Sequence, residues 1–309
     1  MPFADAPFEA AYILRLLGGL HRMVLSGEAP RLARHYPSVG GDGDAPAAMA
    51  AMRELLTEPP PPVLDTLTRP PQTNEVGRSA ALASGMMVIA EETGLPLQLR
   101  ELATSGGLNL WPDAYWYEQG GEGWGDASSP VRFTDLWEGG TPPFSAPCEI
   151  VDRRGCDRDP IDVRTHEGAL TLLSYVWPEP ASRFVRARDA IRLFRAAPPA
   201  IDRADVRDWL PGQLEPRSAG RALVVYHSVF WQYLDLDTQG ELQMLFHDAG
   251  RRASAEAPLA WLHLEPRPDT YIPAQLRLTL WDGNAKEPPD RLLATTGFHG
   301  GPLMWLGAE

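Results

Sequence analysis

From Leu97 onward the chain alternates short apolar runs with helical patterns, and this alternation restricts its fold more than any other feature. Leu97, Leu99 and Glu101 project to one side of an extended segment and Gln98, Arg100 and Leu102 to the other, which is the period-two pattern of a strand. Apolar or β-branched runs recur at Ile150-Val151, at residues 222–226 and at residues 259–264, with helix-period patterns over 184–196 and 242–255 between them. Strands alternating with helices predict a mostly parallel sheet covered on both faces. The alternation fails after Glu265: the run Leu276-Arg277-Leu278-Thr279-Leu280-Trp281 meets Asp282-Gly283 and then the run 292–298, with no helix between. Two strands joined by a loop pair antiparallel. Residues 96–309 are therefore predicted to form one α/β domain whose sheet closes with a C-terminal antiparallel hairpin.

The residues before that domain read as helices. Ile13, Leu17, Leu20 and Val24 share one helix face. Asp44 and Pro46 open a second helix through Met49, Met52 and Leu56, stopped by the run Pro59 to Pro62. A third starts near Asn74 and passes Leu82, Met86 and Ile89 to a stop at Gly94. Residues 1–95 are expected to form an N-terminal helical cap, and 309 residues suffice for one main domain with such an attachment.

Charge narrows the partners. With 28 Lys and Arg against 41 Asp and Glu the net charge is −13, so neither nucleic acid nor an anionic membrane is expected, because both are bound mainly through Lys and Arg. A small-molecule ligand is expected instead. No stretch approaches the roughly 18 apolar residues needed to cross a bilayer, and the start, MPFADAPFEA, lacks the basic cluster of a signal peptide. Cys148 and Cys156 are too few for a disulfide framework or a four-thiolate metal site. These features point to a cytoplasmic protein.

Two motifs have the chemistry of a nucleotide site. Glu101-Leu102-Ala103-Thr104-Ser105-Gly106-Gly107-Leu108-Asn109 ends a strand in small residues and reads as strand, tight turn and helix. Small side chains let a ligand approach the backbone, and a helix N-terminus attracts negative groups; the same turn also serves as a purely structural bend. Gly155-Cys156-Asp157-Arg158-Asp159-Pro160 offers Asp157 as an acceptor for two ribose hydroxyls, with Asp152 a nearer candidate, or is simply good turn chemistry. Asp157 stands 56 residues beyond Glu101, against the roughly 20 of a plain βαβ unit, so a segment is inserted. That insertion, about residues 111–147, holds Trp111, Tyr115, Trp116, Tyr117, Trp124, Phe133, Trp137 and Phe144. Such segments form lids or hide short strands. Their aromatic faces either clamp an adenine, an aromatic substrate or a cation, or fill a local core.

His227, in Tyr226-His227-Ser228-Val229-Phe230-Trp231, and Glu265, in His263-Leu264-Glu265-Pro266, fall at the carboxyl edge where open α/β sheets bind ligands. His227 reads as a general base or as a hydrogen-bonded structural residue, and the neighbouring Ser228 points to the opposite face, against a Ser–His nucleophile pair. With His299, in Phe298-His299-Gly300-Gly301-Pro302, they form a proton relay, a metal set or separate hydrogen-bonding groups. No short two-ligand spacing supports the metal set.

Together with Gln72-Thr73-Asn74-Glu75-Val76-Gly77-Arg78, residues 101–110, Arg154-Gly155-Cys156-Asp157, residues 172–178 with Trp177, residues 226–233 and His299-Gly300, these motifs resemble, nearly end to end, the bacterial family called domain of unknown function 2332. Through its sheet order and the motif around Glu101 that family is similar to class I S-adenosylmethionine-dependent methyltransferases. The resemblance implies a Rossmann-like sheet, with S-adenosylmethionine bound at the motif of Glu101, Ala103, Ser105 and Gly107, its ribose on Asp157 and its adenine near Asp205. The sequence departs from that pattern where Ala103 and Ser105 replace expected glycines; Gly107 keeps its place. Asn74, Glu75 and Arg78 would lie near the cofactor edge, or Glu75 and Arg78 form an i,i+3 ion pair on an exposed helix face. Asn109, Tyr117 and His299 complete the expected pocket.

The leading expectation is thus a small-molecule methyltransferase with a polar floor of His227, Glu265 and Asp157, in which His227 and Glu265 position or deprotonate the acceptor. The alternatives are a non-catalytic ligand-binding or regulatory protein on the same fold, and a metal-assisted hydrolase using His227, Glu265 and His299.

Overall fold

The computed structural model describes residues 11–215, 217–267 and 273–307. The chain divides into two compact units, residues 1–75 with 161–198, and residues 76–160 with 199–309.

The first unit is helical. Its first segment holds α1 (Tyr12–Leu25), α2 (Pro30–Ala33), α3 (Ala45–Leu55) and α4 (Pro61–Thr68). The chain then passes through α5 (Ser79–Thr93), in the second unit, and returns with α6 (His166–Ser174) and α7 (Ala181–Ala196). Asp44 caps α3 as its sequence position predicts, accepting the Ala47 N–H at 2.9 Å. Helix α3 stops at Leu55, ahead of the proline run expected to end it, and that run starts α4, because proline at a first helical position lacks only an N–H that would be unpaired anyway. Leu20, Val24, Leu32, Tyr36 and Val63 form the core of this unit, each aliphatic side chain contributing roughly 1.5–3 kcal/mol by burial.

The second unit is mixed α/β. In chain order its strands are β1 (Leu97–Leu102), β2 (Trp116–Gln119), β3 (Glu122–Gly125), β4 (Arg132–Thr134), β5 (Trp137–Glu138), β6 (Ile150–Asp157), β7 (Ile201–Arg203), β8 (Ala222–Ser228), β9 (Leu259–Pro266), β10 (Ala274–Trp281), β11 (Arg291–Thr296) and β12 (Leu303–Trp305). Helix α8 (Val206–Leu214) precedes β8, and α9 (Leu236–Gly250) joins β8 to β9. The large sheet has the order β5-β12-β11-β10-β9-β8-β1-β6-β7. Strands β7, β6, β1, β8 and β9 are parallel, as the alternating sequence predicts, and β10 and β11 form the antiparallel hairpin. The short strands β12 and β5 extend the far edge; at three and two residues they carry no readable period.

Period two assigns the faces. Leu102, Leu223, Val225, Leu259, Trp261 and Trp281 pack with α8 and α9. The other face is covered by α5, which the sequence reading placed with the cap. This helix is buried at every position from Ser79 to Ala90 and packs on β8, β9, β10 and β11; a helix apolar all round belongs inside a core.

One expectation changes here, and one of the alternatives for the insertion holds. Among the described residues no α-helix lies between β1 and β6. Ala103, Ser105 and Gly107 take φ of 52°, 53° and 77°, left-handed conformations that do not propagate a right-handed helix, and Trp111-Pro112 leads only into a 3₁₀ turn at Pro112–Ala114. The insertion hides short strands, a three-stranded sheet in the order β3-β2-β4, and its aromatic residues fill a local core. Tyr115, Tyr117 and Phe133 are fully buried, and the Tyr117 and Phe133 rings stack at 5.0 Å.

Candidate functional site

Parallel pairing sets His227 of β8 directly beside His263 of β9, and Glu265 follows on the same face two residues later. After β8 the chain turns through Val229 at φ 51°, a left-handed position unusual for a β-branched residue. This turn aims the Phe230 N–H at Glu265, 2.9 Å from Oε1 and 3.2 Å from Oε2. His227 Nδ1 lies 2.7 Å from Glu265 Oε1, while Nε2 accepts the Trp261 indole N–H at 3.1 Å. An indole N–H only donates, so the proton of His227 sits on Nδ1 and is given to Glu265. Burial pushes the imidazole below its ordinary value, offset in part by the Glu265 hydrogen bond and charge; His227 is neutral. Its expected role as a general base therefore lacks a free lone pair, because Trp261 occupies it.

Around this dyad is a cavity of about 380 Å³ between α9 and the face of β9 and β10. The His227 ring stacks between Trp231, at 5.2 Å and 14°, and His263, at 5.6 Å and 11°. From β10 come Gln275, Arg277, Thr279 and Trp281, every second residue, and the β10–β11 connection supplies Asp290. Arg277 Nε donates to Asp290 Oδ2 at 2.5 Å, and His263 Nε2 lies 3.6 Å from Asp290 Oδ1. Burial raises the Asp290 carboxyl, but His263 and Arg277 outweigh it and hold it below the usual range. Trp281 is fully buried, and among the described residues its indole N–H has no hydrogen-bond partner.

The predicted cofactor residues stand elsewhere. Glu101 pairs in register with Tyr226, which places it on the opposite sheet face from His227. The order β7-β6-β1-β8-β9 changes direction between β1 and β8, the switch point where such sheets bind ligands, and Glu101 lies at this edge. Burial raises its carboxyl to about 8, against the opposing effect of a hydrogen bond from Thr104, while Asp157 raises it and Arg78 lowers it. Arg78, 9% exposed, donates to Phe298 O at 3.0 Å and Ser228 O at 3.3 Å.

Local bonds already engage the two aspartates meant for ribose and adenine. Asp157 accepts the Ser105 and Asp159 amides at 2.9 and 2.8 Å. Asp205 caps α8 and binds the Arg158 and Arg207 guanidiniums; burial raises its carboxyl, but these partners hold it at about 2. At Gly107 an added Cβ would come within 2.6 Å of Pro199, so side chains cover the turn. Gly300 fits because a Cβ there would meet Gly77 O at 2.1 Å.

The cavity thus takes in His227 and Glu265 but neither Asp157 nor His299, and His299 is exposed in the loop after β11. Asn109 accepts from Ser79 Oγ at 2.6 Å in the core beside β1, and Tyr117 belongs to the insertion's core. In the first unit Glu75 is buried against Arg183, with Arg183 Nε at 3.1 Å. Since Glu75 and Arg78 are both 9% exposed, neither sits on an exposed helix face. Asn74 lies just before the 3₁₀ turn Val76–Arg78. Among the described residues no group of three or more His, Cys, Asp and Glu side chains is placed to hold a metal ion, and no helix is long and apolar enough to cross a membrane.

The sequence reading missed Trp281, His263, Asp290 and Gln275. A signal was present: Trp261, His263 and Glu265 alternate along β9, and Gln275, Arg277, Thr279 and Trp281 along β10. A face that a helix should cover is polar at alternating positions.

A second, largely apolar cavity of about 280 Å³ lies within the helical unit. The buried imidazole in its wall, His21, has both ring nitrogens bonded, to Ser174 O and Ser38 Oγ. Burial lowers its pKa to about 4.

Among known proteins, the model of a family described as uncharacterised proteins conserved in bacteria, domain of unknown function 2332, matches residues 2–305. No curated protein and no solved structure matches the chain.

Proposed function

Because the chain belongs to this bacterial family, whose description names no activity, we propose a function from geometry: the protein binds a small molecule in the cavity between α9 and strands β9 and β10. The observation that carries this reading is the cavity itself, about 380 Å³, lined from every second residue of β9 and β10 by polar side chains, among them Glu265, Gln275, Arg277 and Thr279. The aromatic and polar lining is of the kind that orients small ligands.

The methyltransferase reading draws its support from the strand order and from Glu101 at the switch point. It is weakened by the lack of an α-helix between β1 and β6, by the side chains over Gly107, and by Asp157 and Asp205 being engaged in local bonds. Thermal shift and calorimetry with S-adenosylmethionine, S-adenosylhomocysteine and inosine separate the two, using the parent, Thr279→Trp to fill the cavity, and Asp157→Ala. Binding abolished by Thr279→Trp alone supports the cavity. S-adenosylmethionine binding that Asp157→Ala weakens by roughly 1.5–3 kcal/mol, the range for a hydrogen bond to a charged group, and that Thr279→Trp spares supports the methyltransferase reading.

A further inference from the structure

We propose that the cavity takes an uncharged, flat heterocycle bearing carbonyl or ring-nitrogen acceptors, the class to which purine nucleosides belong; this rests on the ligand-binding reading above. The charged groups of the lining balance, Glu265 and Asp290 against Arg267 and Arg277. Their carboxylates are also occupied. Glu265 takes His227 and the Phe230 amide, and Asp290 takes Arg277. Neither is left to bind a cation or to accept the several hydroxyl hydrogens of a polyol.

The unpaired groups are a donor and an acceptor. The Gln275 carboxamide oxygen takes the Arg277 N–H at 3.2 Å, and among the described residues its NH₂ has no partner. His263, with its Nε2–H toward Asp290, keeps a lone pair on Nδ1 that has no partner among the described residues. The two stand diagonally on the β9–β10 pair, where Arg277 faces His263 and Gln275 faces Glu265. A ligand matching this set supplies an acceptor beside an N–H, as the lactam edge of a heterocycle does. The near-parallel rings of Trp231, His227 and His263 favour a flat π system, which has complementary faces. The cavity, about 380 Å³, is larger than a single small ring, so a nucleoside fits it better.

The test is fluorescence quenching and thermal shift with inosine, against indole (flat, without an acceptor), glucose (polar, not flat) and benzoate (flat, charged). Inosine is expected to bind saturably and at least tenfold more tightly than the other three. Gln275→Ala, at a half-buried position, should weaken it several-fold, the loss expected when a donor goes unreplaced, and Thr279→Trp should abolish it. Trp231→Ala, which removes a stacking ring at a half-buried position, should also weaken it and serves if Thr279→Trp fails to fold. Tighter binding of glucose, indole or benzoate that Thr279→Trp blocks would overturn the heterocycle and leave the cavity reading standing. Inosine binding indifferent to Thr279→Trp, or no response to any of the four probes in the parent, would overturn both.

Discussion

Trp261 Nε1 donates to His227 Nε2 at 3.1 Å, and this bond fixes which imidazole nitrogen carries the proton. It is available only to the neutral ring, so it adds to burial in holding His227 unprotonated. Trp261→Phe keeps a ring to stack on Phe246, which lies 4.4 Å away, and removes the donor. Proton affinity at His227 should then rise on the order of tenfold, since losing a hydrogen bond to the neutral form costs about 1 kcal/mol. Imidazole ¹⁵N shifts followed through a pH titration report this. An unchanged titration would mean that burial and Glu265 alone set the tautomer.

Glu101 has a folded-state value of about 8, above its ordinary 4.5. Its contribution to stability is therefore complete below 4.5 and is lost as pH rises from there through about 8. Glu101→Gln has nothing to ionise and still offers an oxygen to Thr104. The variant should match the parent near pH 5 and exceed it at pH 8.5 by on the order of 4 kcal/mol. Denaturant unfolding at both pH values measures this, and a pH-independent difference would contradict the assignment.

His21 behaves in the opposite sense. Its folded value is lowered to about 4 from 6.5, chiefly by burial, so its contribution is intact above 6.5 and is lost as pH falls from there through about 4. Between these limits the parent's melting temperature should fall more steeply than that of His21→Gln. Parallel pH profiles would show that the ring is charged in the folded state.

Ala103 and Ser105 occupy left-handed positions at φ 52° and 53°, where side chains other than glycine are strained. They are also the two places where the family resemblance leads one to expect glycine. Ala103→Gly should relieve about 1 kcal/mol, read as a rise of roughly 2 °C in melting temperature. A fall would show that the Ala103 methyl contributes packing that outweighs the backbone strain.

The legible part of the fold was the part written in local period. The runs around Leu99, Ile150, Val224 and Leu262 became parallel strands, and the missing helix after Glu265 became the β10–β11 hairpin. The turn after Glu101 was misread because small residues suit a left-handed bend and a helix start equally, and only φ distinguishes them. Of the site, His227 and Glu265 could be paired because both end strands of one sheet. Asp157 could not be separated from them, since the sequence does not state which neighbours will satisfy a carboxylate, here the Ser105 and Asp159 amides. Trp281 and Asp290 were missed for a geometric reason. They reach the cavity by antiparallel return of the chain, away from the carboxyl edge where ligands of α/β sheets are sought.

The most direct test of the cavity is an NMR titration of ¹⁵N-labelled protein with inosine and, separately, S-adenosylmethionine, reading the Trp231, Trp261 and Trp281 indole signals beside the amides from Ala103 to Gly107. The ligand-binding reading predicts that inosine moves the Trp231 indole resonance saturably while the turn amides stay in place. If S-adenosylmethionine moves the Ala103 to Gly107 amides and neither compound moves Trp231, the ligand site is the switch point and the cavity reading is contradicted.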